Sequence, residues 1–382
     1  MQIVAEAWLT YRITGSALGL GMVSFVALLP VVPISLFGSS LIDRVDKRKL
    51  LVVTQLALLL NAVAWAVVAW SGSAKVWELV VLSFVEGAIA SIDLPARQSF
   101  LPDVVGMDDL PNTIALNQFL TNLARIGGPL LAGFLIVRYG ESICFLLNAA
   151  SFMLLIGSLL FMRGLKRLVS SGHRQIGMVQ GVRYVLKTPA ILWLIALMTA
   201  SNFLLLPYSP LMAAVAGTLW GTGPEGLGVM LTCISIGAML GSLWLANLNA
   251  LQQRRWLVLT LYLLPISILA LVGVPTFAVA LGIAVLVGAS SGWMQTIFMT
   301  LVQTNVREDL RGRTVALHLM LQVGATKVGA LEAGFLSGSV GIAMALRIAA
   351  VVSLVCTTLA LRIQPLVEGE GTAVKLGVTA SK

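Results

Sequence analysis

Long apolar runs recur along the 382-residue chain, separated by short polar stretches. A helix needs about 20 largely apolar residues to cross a hydrocarbon core about 30 Å thick. Continuous runs of that length predict spanning helices, not the alternating strands of a membrane barrel. Eleven segments have this character: 17–41, 50–71, 77–96, 112–136, 142–162, 190–212, 226–247, 256–273, 276–300, 314–335 and 341–362.

Residues 1–12 form a further apolar stretch that is too short to span a bilayer. We interpret this stretch as the outer end of a first helix whose beginning is missing. Either the start codon has been placed too far downstream, or the chain is truly truncated. The whole pattern predicts an all-α, polytopic membrane protein whose first helix is truncated.

The composition supports the same class of protein. Charged residues make up 11% of the chain and the mean hydropathy is +0.96, whereas soluble domains carry about 25% charged residues. The net charge of +9 lies in clusters between apolar runs, which excludes a basic nucleic-acid-binding face. Three single cysteines and two histidines predict no metal site, and no enzyme or cofactor motif occurs.

The positions of Lys and Arg predict the orientation in the membrane. If the turn at 43–49 is cytoplasmic, 19 of the 25 basic residues are cytoplasmic, as the positive-inside rule requires. We therefore expect a multi-pass protein of the bacterial plasma membrane with a cytoplasmic C-terminus. Its expected parts are an N-terminal helical half (1–162), a cytoplasmic linker (163–189), a C-terminal helical half (190–363) and a cytoplasmic tail (364–382).

A repeat relates the two halves. Residues 113–140 and 314–341 share twelve identities in 28 ungapped positions, and both segments start on the same side of the membrane. Parallel repeats of this kind build transporters whose halves rock about a central site. The repeat predicts two pseudo-symmetric six-helix halves.

Acidic residues interrupt the apolar segment 77–96. Glu86, Asp93 and Arg97 share one helical face. A carboxylate near the bilayer centre costs at least about 2.5 kcal/mol, so Glu86 must be protonated, paired or in contact with water. Glu86 and Asp93 are therefore candidates for proton coupling or for lining a substrate cavity. A structural hydrogen bond from a neutral acid is the alternative for Glu86.

The segment 112–136 carries a polar face made of Asn117, Gln118, Asn122 and Arg125. These residues are candidates for lining the substrate cavity. Arg125 is a cation within a span and needs a partner, for which Glu86 is the expected residue. The alternative role of Arg125 is to attract an anionic substrate.

The same segment contains a bend motif formed by Gly128, Pro129 and Gly133. Small residues let helices approach closely, and proline bends a helix by removing a backbone hydrogen bond. Ordinary tight packing is the alternative interpretation of this motif.

The segment 314–335 contains the polar residues His318, Lys327 and Glu332. The repeat pairs Lys327 and Glu332 with apolar residues, so they do not belong to the shared scaffold. All three are candidates for substrate specificity. The alternative for Lys327 and Glu332 is snorkelling towards the membrane surface.

Charged residues also follow the segment 17–41. Asp43, Arg44, Lys47 and Arg48 stand at its end, where an aspartate can pair with a neighbouring cation and with helix-terminal amides. Together with Arg97 they are candidates for a cytoplasmic gate. A plain positive-inside turn is the alternative.

Two of these motifs resemble those of the major facilitator superfamily. Residues 39–49 resemble its loop signature, Gly-x-x-x-Asp-Arg-x-Gly-Arg-Arg, although Ser39 and Asp46 replace the two glycines. The segment 124–133 resembles its antiporter motif. Drug exporters of the superfamily usually have an arginine where this chain has Ser83, so the usual proton relay does not carry over directly.

Further segments look like the enterobactin-exporter-like branch, which contains siderophore and macrolide exporters: 93–105, 112–122, 124–133 and 144–152. The resemblance implies proton-coupled export of a small molecule, such as a siderophore, drug or secondary metabolite, by alternating access. Expected partners are this substrate, protons and membrane lipid, and not nucleic acid, and we expect a monomer. The alternatives are an importer of the same fold, a channel and a truncated, non-transporting membrane partner.

Overall fold

The computed structural model describes residues 1–31, 33–34, 45–106, 109–162, 178–245, 250–306 and 308–363. All regular secondary structure in these residues is helical. The principal helices are α1 (Gln2–Thr14), α2 (Ala17–Val26), α3 (Lys47–Trp70), α4 (Val76–Val105), α5 (Leu110–Tyr139), α6 (Ser142–Phe161), α7 (Met178–Lys187), α8 (Pro189–Leu205), α9 (Tyr208–Trp220), α10 (Pro224–Leu245), α11 (Ala250–Leu271), α12 (Phe277–Asn305), α13 (Glu308–Val340) and α14 (Ile342–Ile363).

Nine helical stretches in the described part of the chain are long and apolar enough to cross a membrane, and they correspond to nine of the predicted segments. The other two predicted segments, 17–41 and 256–273, contain the shorter apolar helices Ala17–Val26 and Trp256–Leu271. Residues 35–41 lie outside the described residues. The chain is thus an all-helical, multi-pass membrane protein.

Local signals in the sequence set several helix ends. Ser16 accepts a hydrogen bond from the backbone N–H two residues ahead at the start of α2 (3.1 Å), and Asp46 does the same at the start of α3 (3.0 Å). Gly140 and Gly341, which the repeat pairs, follow α5 and α13 with φ of 81° and 80°. Side chains rarely adopt this conformation, so both turns need glycine.

A buried aromatic pair joins α3 to α6. Trp65 and Phe145 stack with their ring centroids 5.4 Å apart, and both side chains are fully buried. Nearby, Leu51, Phe100 and Leu159 form a cluster that also includes α4. Such van der Waals contacts drive helix association in a bilayer, where the surrounding lipid is itself apolar. These three helices form the scaffold for most of the acidic residues described below.

The chain divides into two compact units. The first comprises Met1–Gln175, Tyr208–Ser235 and Ala330–Ala345, and the second comprises Ile176–Pro207, Ile236–Gly329 and Leu346–Lys382. The first unit therefore contains helices from both predicted halves. Close backbone approach at glycine residues makes this packing possible.

Candidate functional site

Two glutamates from different helices share one amide group in the first unit. Gln2 Nε2 donates hydrogen bonds to Glu6 Oε1 (2.5 Å) and to Glu86 Oε2 (2.9 Å). Asn148 Nδ2 in turn donates to Gln2 Oε1, so the group joins α1, α4 and α6. All four side chains are half-buried. We call Glu6 and Glu86 the carboxyl pair.

The carboxyl pair brings two acidic side chains to one neutral amide group. The two carboxyl groups accept hydrogen bonds from the same amide nitrogen, and two negative charges at such a site repel each other. The amides of Gln2 and Asn148 carry no charge of their own. Gain or loss of a proton therefore changes the charge at a contact between three helices.

The expected ion pair between Arg125 and Glu86 does not form, and that prediction is wrong. Arg125 is exposed and has no ion-pair or hydrogen-bond partner among the described residues. Glu86 instead accepts a hydrogen bond from Gln2 on α1, because the rotation of α4 turns this carboxyl towards α1. The other polar positions on this face of α5 are also exposed: Asn117, Gln118 and Asn122.

Asp93 joins α4 to α3 through hydrogen bonds. Its Oδ1 accepts hydrogen bonds from Thr54 Oγ1 (2.7 Å) and Gln55 Nε2 (2.6 Å), and its Oδ2 pairs with Arg97 at 2.8 Å. The carboxylate is buried, whereas the arginine side chain is about half exposed. Three donors thus satisfy the hydrogen-bonding capacity of this buried group. Asp93 therefore stabilises the helix packing.

Lys47 and Arg48 at the start of α3 bind two neighbouring helices. Lys47 Nζ lies 3.0 Å from Asp103 Oδ2 on α4. Arg48 donates from Nε and Nη2 to the carbonyl oxygens of Leu159 (2.7 Å) and Leu160 (2.8 Å), the last turn of α6. A cation at the C-terminal end of a helix is favoured by the helix dipole and by the unpaired carbonyls there.

Only some of the residues predicted to form the cytoplasmic gate lie in the part of the chain that the structure describes. Asp43 and Arg44 lie outside the described residues. Lys47, Arg48 and Arg97 all bond to partners in the N-terminal half. These bonds join α3, α4 and α6 into one body.

Helices of the two predicted halves meet through glycine in the first unit. A methyl group added at Gly228 of α10 would lie 2.5 Å from the carbonyl oxygen of Pro129 of α5. One added at Gly21 of α2 would lie 2.5 Å from the carbonyl oxygen of Ala330 of α13. The repeat pairs Pro129 with Ala330, so the two contacts are equivalent. We call them the glycine crossings.

The repeat-paired glycines Gly133 and Gly334 complete these crossings. A methyl group at Gly133 would lie 2.7 Å from the carbonyl oxygen of Pro224, and one at Gly334 would lie 2.7 Å from that of Ala17. No side chain larger than hydrogen fits at such distances without a shift of the backbone. The bend motif is therefore a close-packing surface, and the duplicated segments use it in the same way.

Gly128 and its repeat partner Gly329 differ in how closely a neighbouring residue approaches them. A methyl group at Gly128 would lie 3.4 Å from the backbone nitrogen of Met1, and one at Gly329 would clash with the carbonyl oxygen of Phe203 in α8. Gly329 thus permits close packing against α8 within the second unit, whereas the spacing at Gly128 is an ordinary van der Waals contact that alanine would also allow.

The candidate specificity residues of α13 lie in three different environments. His318 is 1% exposed, and its Nδ1 has no hydrogen-bond partner among the described residues. Lys327 is half-buried and Glu332 is exposed. The part of the chain that the structure describes contains no group of three or more His, Cys, Asp or Glu residues that could hold a metal ion.

Several amide side chains contact the candidate site residues, and the sequence did not predict these contacts. Gln2 and Asn148 contact the carboxyl pair, and Gln55 contacts Asp93. The available signal was an amide inside a strongly apolar run, because such a group needs a hydrogen-bond partner in lipid. A second group of amides lies in the second unit and is described below.

A multi-pass helical chain with a parallel repeat, matched glycine crossings and carboxyl groups within its helices has the features of a secondary transporter. The chain belongs to the transmembrane secretion effector family of the major facilitator superfamily, whose family model matches residues 1–375. The predicted superfamily and fold are thereby confirmed. The protein is a small-molecule transporter and not an enzyme.

Individual known proteins support this assignment. The multidrug efflux pump Tap of Mycolicibacterium fortuitum is 27% identical over 354 residues, which cover 89% of this chain and 86% of that protein. The staphyloferrin A transporter of Staphylococcus aureus is 22% identical over 358 residues, covering 92% and 89%. A solved bacterial homologue of the iron transporter ferroportin, in an inward-facing state, has the same fold, with a TM-score of 0.71, 17% identity and coverage of 94% and 95%.

Proposed function

We propose that this transporter couples proton entry to the export of a small molecule across the bacterial plasma membrane. The observation that carries the proposal is the carboxyl pair, in which Gln2 joins Glu6 to Glu86. Acids that share a site within the membrane exchange a proton because the doubly charged form is disfavoured. The carboxyl pair is therefore a suitable entry point for the proton in the transport cycle.

Protonation of the carboxyl pair acts on the packing of α1 against α4 and α6. A proton arriving from outside neutralises Glu86 and removes a charge from this three-helix contact. A proton shifts a conformational equilibrium only if the two states bind it with different affinity. Alternating access follows if the outward-facing state binds the proton more tightly and the inward-facing state releases it to the cytoplasm.

Two gates bound this cycle. At the outer end the glycine crossings hold helices of both halves together, and they must separate for cargo to leave. At the cytoplasmic end we assign the gate to the residues predicted from the sequence: Asp43, Arg44, Lys47, Arg48 and Arg97. The bonds of Lys47 and Arg48 to α4 and α6 support motion of the N-terminal half as one body.

The cargo is a drug, a siderophore or a secondary metabolite. Arg125 is an exposed cation on the same helix as the amides of Asn117, Gln118 and Asn122, and an unpaired cation attracts anionic groups. The named relatives include a multidrug efflux pump and a siderophore transporter, which supports these cargo classes. His318, Lys327 and Glu332 contribute to the choice among them. We assign the protein as a monomer, in contact with membrane lipid and with a cytoplasmic C-terminus.

Flux in inside-out vesicles tests the proposal. Vesicles from an efflux-deficient bacterium that expresses the full chain are given an acidic interior, and uptake of tetraphenylphosphonium, erythromycin and staphyloferrin A is measured. We expect at least one probe to accumulate, and we expect nigericin, which dissipates the pH gradient, to stop it. Glu86→Gln removes the dependence on the gradient, because a neutral amide cannot carry the proton.

Asp109→Asn is the matched control, since Asp109 is an exposed acid at the start of α5 and makes no side-chain cap. This variant retains the wild-type dependence on the gradient. Accumulation only in right-side-out vesicles would identify an importer. Flux that nigericin does not change would identify a channel-like or uncoupled protein, and either result would contradict the proposal.

A further inference from the structure

Three amide side chains form a continuous hydrogen-bonded chain in the second unit. Gln322 Nε2 on α13 donates to Gln295 Oε1 on α12 (2.6 Å), and Gln295 Nε2 donates to Asn202 Oδ1 on α8 (3.2 Å). Asn202 is fully buried, whereas Gln295 and Gln322 are half-buried. The amide chain therefore runs from the interior of the unit to accessible side chains.

Both the amide chain and its neighbour His318 contain unused hydrogen-bonding atoms. Asn202 Nδ2 and His318 Nδ1 are buried without a hydrogen-bond partner among the described residues. At the other end, Gln322 Oε1 accepts no hydrogen bond from the described residues. His318 and Gln322 are four residues apart on α13 and so share its face. Buried polar atoms without partners are rare in proteins and point to a missing ligand or water.

The repeat aligns two residues of this group with polar residues of the N-terminal half. The alignment of 113–140 with 314–341 pairs His318 with Asn117 and Gln322 with Thr121. Both members of each pair are polar, but their hydrogen-bonding groups differ. Repeat-paired positions that are polar in both halves but carry different hydrogen-bonding groups are suited to determining which substrate is bound.

We propose that Asn202, Gln295, Gln322 and His318 form a cargo-recognition site that binds an uncharged hydroxyl or carbonyl group. This inference rests on the proposed transport function and deepens it. A primary amide presents either its oxygen or its NH₂ group when it rotates about its terminal bond. Concerted rotation of the three amides reverses the direction of the chain, so Gln322 can accept from a hydroxyl group or donate to a carbonyl group. One site can thus bind chemically different neutral groups.

The test compares two probes that differ in hydrogen-bonding capacity, with binding measured to the purified full chain in detergent without a proton gradient. Erythromycin carries many hydroxyl and carbonyl groups, whereas tetraphenylphosphonium carries none. Gln322→Met and Gln295→Met keep the side-chain length and remove the amide. We expect each variant to weaken erythromycin binding about tenfold, the effect of losing one hydrogen bond, and to change tetraphenylphosphonium binding less than twofold.

Gln303→Met is the control, because Gln303 is an exposed glutamine on the same helix as Gln295. It should leave the binding of both probes unchanged. If Gln322→Met weakened the binding of both probes equally, its role would be purely structural and the inference would be overturned. Unchanged binding of both probes would also overturn it. So would a wild-type protein that does not bind erythromycin. The binding measurement uses no proton gradient. If the vesicle experiment showed no proton-driven flux while the binding results held, the proposed function would be contradicted and this inference would not.

Discussion

Gly133 and Gly228 bring the backbones of α5 and α10 into direct contact: a methyl group on Gly228 would lie 3.1 Å from the Cα of Gly133. The equivalent contact joins α2 to α13 through Gly21 and Gly334. Because lipid is as apolar as most side chains, close backbone approach is a principal source of helix association in membranes. The two crossings are therefore expected to control how tightly the outer gate closes.

Substitution of a crossing glycine should destabilise the protein. In Gly228→Ala the new methyl group would meet the carbonyl oxygen of Pro129, which is backbone and cannot rotate away. Overpacking of this kind costs about 1–3 kcal/mol. We expect a lower melting temperature in detergent and reduced transport, and the same for Gly21→Ala at the equivalent crossing.

Gly127→Ala provides the control for this prediction. Gly127 lies on α5 with no atom within 4 Å of an added methyl group. Alanine is favoured over glycine in a helix by up to about 1 kcal/mol, so this variant should be as stable as wild type or more stable. If Gly228→Ala and Gly127→Ala have the same melting temperature, the crossing does not constrain the helices as described.

The loss of stability caused by substitutions at Asp93 and Arg97 should increase with the number of hydrogen-bond partners that lose their contact. Asp93→Leu leaves the buried amide of Gln55 without an acceptor, at about 1–3 kcal/mol, whereas Thr54 Oγ1 can still donate to the carbonyl oxygen of Leu51 at 3.1 Å. Asp93→Asn keeps an oxygen acceptor and loses mainly the pair with Arg97. Arg97→Gln should cost least, because Arg97 is half exposed. Thermal unfolding in detergent gives the order, and a larger loss for Arg97→Gln than for Asp93→Leu would contradict it.

Arg48 should stabilise the C-terminal end of α6. Its two donors reach the carbonyl oxygens of Leu159 and Leu160, and a charge-assisted interaction with a helix end is worth about 1–2 kcal/mol. Arg48→Gln should therefore lower thermal stability, and Arg48→Lys should restore only part of it because an ammonium lacks the planar fork. Lys49→Gln, at the exposed neighbouring position, should have no effect. Equal losses for Arg48→Gln and Lys49→Gln would exclude the role of Arg48.

The fold was predictable because length and apolarity alone specify spanning helices, and because glycines recur in the repeat. Gly133 and Gly334 are paired in the alignment and make equivalent contacts. Only glycine fits where two helix backbones come this close, so a glycine that recurs in the repeat predicts such a contact from the sequence alone.

The partners of the acidic residues were less predictable. Glu86 was recognisable as a carboxyl group within an apolar segment, yet Arg125 proved not to be its partner. Sequence spacing fixes which residues share a face of one helix, but not how neighbouring helices are rotated. The contact of Glu86 with Gln2 depends on that rotation and on residues 84 positions apart.

The most direct test of proton coupling is the release of protons when cargo binds. Linkage requires that cargo which competes with a proton displaces it, and purified protein in weakly buffered detergent should release about one proton per bound tetraphenylphosphonium. Glu86→Gln and Glu6→Gln should abolish the release, whereas Asp109→Asn should release as much as wild type. If both Glu86→Gln and Glu6→Gln released as many protons as the wild type, the assignment of the proton to the carboxyl pair would be contradicted.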